Sequence, residues 1–291
     1  MKHSRRKYLV FFGLFACLFL SILNISAQQK TLAVIAVDKN DLTRGLEETL
    51  RDSLAASFRF SDPELVEPVI HSSPEKNLLN LSLESARNIG IGIGCDLYLV
   101  LKAENLRRSS SKKNNYYEAY LAAFLVDART GKLLAWKHLS AEADEPAAAN
   151  NALTASFATF IPGIPEISIS GLAAEQKEVF DTTVYEISDD AGKTLRAPLP
   201  FQRFSPATTP LAQYLRVEAV VDIEVAIDAR GYITQTRIVR WAGFGLDEAV
   251  TETARKMNFR SAILDGKAIP ARFLLRYNFR VPVEPKKGVA S

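Results

Sequence analysis

Hydrophobic and polar positions alternate most cleanly near the end of the chain. Val221, Ile223, Val225 and Ile227 alternate with Asp222, Glu224, Ala226 and Asp228, the two-residue period of a strand with one buried face and one wet face. Asp228-Ala229-Arg230-Gly231 supplies turn chemistry, and Tyr232 to Arg240 reads as the returning strand of a hairpin. From Leu246 the period lengthens. Leu246, Ala249, Val250, Thr253 and Met257 share one face of a helix of about three turns, and Gly243 and Gly245 set that helix off from the hairpin. Phe259 falls where the helix docks onto the sheet. A last strand places Phe273, Leu275, Tyr277, Phe279 and Val281 on one face and Arg272, Leu274, Arg276, Asn278 and Arg280 on the other. The pattern predicts a β-β-α-β module over residues 212–283, followed by a tail, 284–291.

Upstream the pattern is that of a small α/β domain over residues 28–160, which makes the whole chain α+β. Thr31 to Val37 is nearly continuous in apolar residues, as in a strand covered on both faces. Leu42, Leu46, Leu50, Leu54 and Phe58 form a ladder at every fourth position and mark a helix, with Asn40 or Asp41 placed to cap it. Ser82-Leu83-Glu84-Ser85 opens a second short helix that ends at Gly90, and Asp96 to Ala103 is a second apolar strand. Tyr116–Val126 and Lys132–Leu139 predict a hairpin around Asp127-Ala128-Arg129-Thr130-Gly131, and Ala147 to Phe160 a closing helix. Residues 161–211 read as a linker: Pro162 to Pro210 holds six prolines and no sustained period, with one candidate strand around Asp181 to Ile187. Fully extended, it would reach on the order of 160 Å at roughly 3.3 Å per residue.

The first residues carry a different signal. Lys2, Arg5, Arg6 and Lys7 precede an apolar run from Tyr8 to Ile25 that ends in Ile25-Ser26-Ala27. This is the form of a signal peptide over 1–27, and its length also meets the lower end of what anchors a chain in a bilayer of roughly 30 Å. Leu14-Phe15-Ala16-Cys17 has the outline of a lipoprotein site, but the apolar run continues past Cys17. Export changes the charge balance, because removing the four cations takes 36 basic residues to 32 against 33 acidic ones. The remaining chain is near neutral, which argues against nucleic acid as a partner. Without Cys17, Cys95 has no intramolecular partner, and it reads as a small buried residue beside a strand.

Candidate chemistry is sparse. His71 and His138 stand without carboxylates or thiols at metal-binding spacing. Gly90-Ile91-Gly92-Ile93-Gly94 precedes a strand instead of joining a strand to a helix, so it reads as a helix stop and not a phosphate loop. Ser73-Pro74-Glu75-Lys76 and Ser109-Ser110-Ser111-Lys112 lie in turns that would not orient a lysine onto a serine. The reading is a binding protein with no catalytic, metal or cofactor residues.

Gly231-Tyr232-Ile233, Leu246-Asp247-Glu248-Ala249, Asn258-Phe259-Arg260-Ser261-Ala262, Asp265-Gly266-Lys267-Ala268-Ile269-Pro270 and Tyr277-Asn278-Phe279 stand in the order seen in TonB C-terminal domains, which this module resembles. Ser261 replaces the usual Pro after the Phe-Arg pair, and the usual Tyr-Pro before the first strand is missing. The resemblance implies a Gram-negative cell-envelope protein in the periplasm whose last strand binds protein partners by strand addition, such as segments of outer-membrane transporters. The binding strand would then be the one carrying Arg272, Leu274, Arg276, Asn278 and Arg280. Its arginines, four residues apart, would either steer an acidic partner or guard the edge against aggregation. Trp241, at the hairpin's end, would either contact the partner or cover the start of the helix. An energy transducer of this family would need an anchor and contact with a motor complex; Tyr8 to Ile25 lacks the membrane histidine such anchors carry. The alternative is a secreted periplasmic adaptor with no role in force transduction. The order of elements before residue 160 is also similar to the first domain of TolB-like envelope proteins.

Overall fold

The computed structural model describes residues 29–111, 113, 115–175, 185–187 and 195–281. The expected leader (1–27) and tail (284–291) lie outside the described residues, as do 176–184 and 188–194 of the expected linker.

The chain is α+β. Its first unit comprises β1 (Thr31–Ala36), α1 (Asp41–Leu54), β2 (Arg59–Phe60), α2 (Pro63–Ser72), α3 (Leu83–Ile93), β3 (Leu97–Arg108), β4 (Tyr116–Asp127), β5 (Leu133–Ala143) and α4 (Pro146–Phe160), then a 3-10 turn (Ile161–Gly163) and α5 (Ile164–Glu175). The strands form one sheet in the order β2-β1-β3-β4-β5, in which β1 is parallel to β2 and β3 and the rest is antiparallel. Both faces of this sheet are covered, which is why β1 is apolar almost throughout. Leu32, Val34, Leu97, Leu99, Leu121 and Leu125 share one core with Leu46 and Leu50 of α1 and Leu153 and Phe157 of α4. Ala33, Ile35, Tyr98, Val100, Phe124 and Val126 belong to a second core with α2, α3 and the C-terminal module.

The local signals behind these helices are mostly visible. Asn40 caps α1 by accepting from Thr43 N, and Ser82 caps α3 by accepting from Ser85 N. Four features differ from the expectations. Helix α3 does not stop at Gly90; it runs on to Ile93 and ends at Gly94, whose φ of 74° closes it in the left-handed region. Gly90 instead permits close packing, since a Cβ there would lie 2.5 Å from Ala128 Cβ. Helix α2, capped by Asp62, escapes pattern reading because Pro68 sits inside it. Strands β3 and β5 run beyond Ala103 and Leu139, because the ladder with β4 continues through Arg108↔Tyr116 and Tyr117↔Ala143. Finally, helix continues past Phe160 to Glu175, with Pro162 in the first turn of the 3-10 segment, where a missing N–H is tolerated. The stretch Pro146–Ser170 is long and apolar enough to cross a membrane by length and composition; here Leu153, Phe157, Ile161 and Ile164 are buried in the first core.

Three short strands follow, β6 (Tyr185–Glu186), β7 (Leu195–Arg196) and β8 (Leu199–Pro200), and then the C-terminal module. The module contains α6 (Pro210–Tyr214), β9 (Ala219–Ile227), β10 (Ile233–Arg240), α7 (Leu246–Arg255), β11 (Phe259–Arg260), β12 (Ala262–Leu264), β13 (Lys267–Ile269) and β14 (Ala271–Phe279). The predicted β-β-α-β order is β9, β10, α7 and β14, with β12 and β13 as a small added hairpin. Its sheet runs β10-β9-β14-β6, and β7 and β8 pair with β12 and β11.

The module packs directly on the first unit. Trp241, 2% exposed, lies with its ring centroid 5.8 Å from that of Phe124, donates its N–H to Leu81 O at 3.1 Å and donates Nε1–H to Gly131 O at 2.9 Å. Phe244 packs on Phe124 and Trp136, and a Cβ on Gly243 would meet the Phe124 ring at 2.6 Å. Asn80 clamps the two units: its Nδ2 donates to Val220 O and Trp241 O, and its Oδ1 accepts from Val220 N. Trp241 therefore joins the two units, where the sequence offered a partner contact or a cover for the helix start. Glu118, buried on β4, accepts from both Arg108 and Tyr214 at 2.9 Å, and its bond from Tyr214 is a further polar contact across the junction.

Candidate partner-docking edge

Strand β14 has β9 along one side over its full length, from Ala271↔Ile227 to Phe279↔Ala219. On the other side β6 pairs with it in parallel at Ala271 and Arg272, and Ile187 N–H donates to Arg272 O at 2.9 Å. Main-chain groups of a strand alternate sides with period two, so the groups turned away from β9 are those of Arg272, Leu274, Arg276 and Asn278. Among the described residues no strand pairs with Leu274, Arg276 or Asn278 on that side. The edge is thus an open row of three N–H donors and three C=O acceptors beyond the short β6.

Of the residues expected at this site, Arg272, Leu274, Arg276 and Asn278 lie on one face of β14, and Arg280 follows just past its end. The arginines do not stand alone. Arg276 makes a two-pronged bond to Asp222, with Nε to Oδ1 at 2.7 Å and Nη2 to Oδ2 at 2.9 Å, and Arg272 Nε lies 3.8 Å from Glu224. From the opposite side Arg237 reaches Glu224 at 2.6 Å and Arg240 reaches Asp222 at 3.6 Å. Four guanidiniums thus surround two carboxylates on the β10-β9-β14 face, and with Glu186 of β6 opposite Arg272 the described face keeps an excess of one positive charge. The hydrogen bond that Arg276 donates to Asp222 raises the pKa of Arg276, which keeps its charge fixed. The side chain is nevertheless 58% exposed, and Leu274 beside it is 50% exposed.

The opposite face of β14 holds the edge in place. Phe259 stacks edge-on against Phe273 with centroids 4.9 Å apart, and Tyr277 Oη approaches Met257 Sδ at 3.9 Å. Helix α7 is fixed through Asp247, which accepts from Ala242 N and Gly243 N at 2.9 Å each. Burial raises the Asp247 carboxyl to about 6 despite those two donors. Strand β6 falls within the candidate strand expected around Asp181 to Ile187; what sequence reading did not give is its pairing with β14. The ion pairs were hidden for a related reason, since they depend on which strands are neighbours.

Among the described residues no group of three or more His, Cys, Asp and Glu is placed to hold a metal. His71 sits exposed on α2 against Glu67 O. His138 stacks on Tyr120, and burial lowers its pKa.

No curated protein matches the chain. Solved structures that resemble parts of it include the hypothetical protein CT253 from Chlamydia trachomatis (12% identity, TM-score 0.32, covering 47% of this chain and 98% of that one). Lipoprotein GNA1162 from Neisseria meningitidis shows 17% identity and a TM-score of 0.33, covering 46% of this chain and 99% of that one. The Pseudomonas aeruginosa TonB CTD shows 17% identity and a TM-score of 0.27, covering 34% of this chain and 96% of that one. Residues 210–281, the segment that folds as α6 to β14, match the family of the Gram-negative bacterial TonB protein C-terminal.

Proposed function

We propose that this is a Gram-negative cell-envelope protein whose C-terminal module docks a protein partner by adding an extended segment of that partner to the outer edge of β14. The observation that carries the reading is that, among the described residues, no strand pairs with Leu274, Arg276 and Asn278 on the outer side of a strand whose other side is fully bonded to β9. Main-chain bonds would supply much of the affinity. The exposed Arg276 and the surplus positive charge of the face favour a segment with acidic side chains. The partner class includes periplasmic segments of outer-membrane transporters, as the family match suggests. Between the two roles, a periplasmic adaptor fits the packing better than a force transducer. A module fixed to the first unit through a buried Trp241 is not the free end of a long tether.

The test is photocrosslinking in intact Gram-negative cells from a reactive residue placed at Asn278, compared with the same residue at Leu65, which is exposed on α2. Capture of a discrete envelope protein from position 278 alone is expected. Leu274→Pro should abolish it, because proline there removes an outward N–H and leaves the β9 ladder intact. Equal capture from both positions, or capture indifferent to Leu274→Pro, would reject the proposal.

A further inference from the structure

We infer that β6 is a built-in competitor for the partner strand: Tyr185–Ile187 holds the start of the docking edge in the free protein and is displaced when a partner adds. The inference rests on the strand-addition reading above. Its basis is that β6 uses the same edge and the same kind of bond. Ile187 N–H already occupies Arg272 O, one of the four outward carbonyls between Arg272 and Asn278, and one carbonyl lone-pair direction along the ladder serves one strand at a time.

The segment has the chemistry of a strand that belongs there. Glu186 falls directly opposite Arg272 in the parallel register, and Ile187 packs partly buried against the shared core. It is also weak. It is two residues long, terminal in the sheet, and, among the described residues, bonded to no strand but β14. What keeps it in place is tethering. Eight positions after Ile187 the chain is held to the module again, by β7 on β12 and then β8 on β11. A segment on so short a tether acts at an effective concentration on the order of millimolar. That suffices for a few bonds to persist, yet a partner strand reaching Leu274, Arg276 and Asn278 makes more of them and wins.

The test uses the full chain and one probe, a fluorescent peptide copying residues 181–190, read by anisotropy. Ile187→Pro deletes the N–H given to Arg272 and opens the edge, so the peptide should bind this variant about tenfold more tightly than wild type, a change of about 1.4 kcal/mol. Asn278→Pro, which removes an outward donor on β14, should weaken binding in both backgrounds. Equal affinity for wild type and Ile187→Pro, with Asn278→Pro still weakening it, would overturn the competitor role and leave strand addition standing. Binding to none of the variants, or binding that Asn278→Pro leaves untouched, would overturn strand addition at this edge and the competitor with it. Amide hydrogen exchange on the unmodified protein gives an independent reading: the Ile187 amide should lose protection as the peptide saturates, while the Leu274 and Arg276 amides gain it. Retained protection at Ile187 in the saturated complex would refute displacement.

Discussion

Replacing Trp241 with Ala tests whether the two units are held as one body. A buried indole removes up to about 250 Å² from water, worth at most about 6 kcal/mol at roughly 25 cal/mol per Å². Partial relaxation brings the usual cost of such a truncation to about 3–5 kcal/mol, and it includes an unpaired Gly131 carbonyl at about 1 kcal/mol. Trp241→Phe keeps a ring beside Phe124 and loses chiefly the Nε1–H bond, so it should cost about 1–2 kcal/mol. Urea unfolding reads both variants well, because the chain has two tryptophans and the survivor, Trp136, lies 5.9 Å from Phe244 across the junction. With a denaturant slope of about 3 kcal/mol per molar, Trp241→Ala should lower the midpoint by about 1–1.7 M. Its Trp136 fluorescence should change before the far-ultraviolet circular dichroism, since the module undocks ahead of global unfolding. A loss below about 1 kcal/mol, with the two signals still coincident, would refute the claim that Trp241 couples the units.

Asp247 makes the module's stability depend on pH. Its folded carboxyl, raised by burial from 3.8 to about 6, binds a proton before the unfolded one does, so this contribution is fully present below pH 3.8 and is lost as pH rises through about 6. The stability of wild type relative to Asp247→Asn should therefore grow by up to about 3 kcal/mol between pH 7 and pH 4; a flat difference would contradict it. Gly90→Ala should destabilise by about 2 kcal/mol through its clash with Ala128. Gly45→Ala on α1, where nothing lies within 4 Å, should instead stabilise by up to about 1 kcal/mol in thermal melts. Burial pushes the Cys95 thiol up to about 12, so it should resist thiol reagents at pH 8 until the chain unfolds. Rapid stoichiometric labelling of the native protein would show the opposite.

The chain reports its regular elements locally. Alternation from Val221 to Ile227, the leucine ladder of α1 and the hairpin around Asp127–Gly131 each repeat a signal within a dozen residues, and β9, α1 and the β4–β5 pair all form from it. The five short motifs shared with TonB C-terminal domains are likewise linear, and the family match falls on the same residues. The limits of local reading show where one residue type serves two purposes. Gly90 and Gly92 look like helix stops but sit inside α3, because close packing of Gly90 on Ala128 in the β4–β5 turn and of Gly92 on Val69 of α2 outweighs their poor helix propensity.

By itself, then, the sequence determined an α+β chain with a β-β-α-β end and a last strand carrying Arg272, Leu274, Arg276, Asn278 and Arg280, because period and turn chemistry are properties of neighbours along the chain. Only the tertiary structure decided that β14 lies between β9 and the two-residue β6, that Arg272 and Arg276 face Glu224 and Asp222, and that Trp241 closes onto Phe124 and Gly131. Those contacts join residues tens to more than a hundred positions apart. Their free energy comes from burial and pairing that exist only once the sheets are assembled, so no window along the chain contains it.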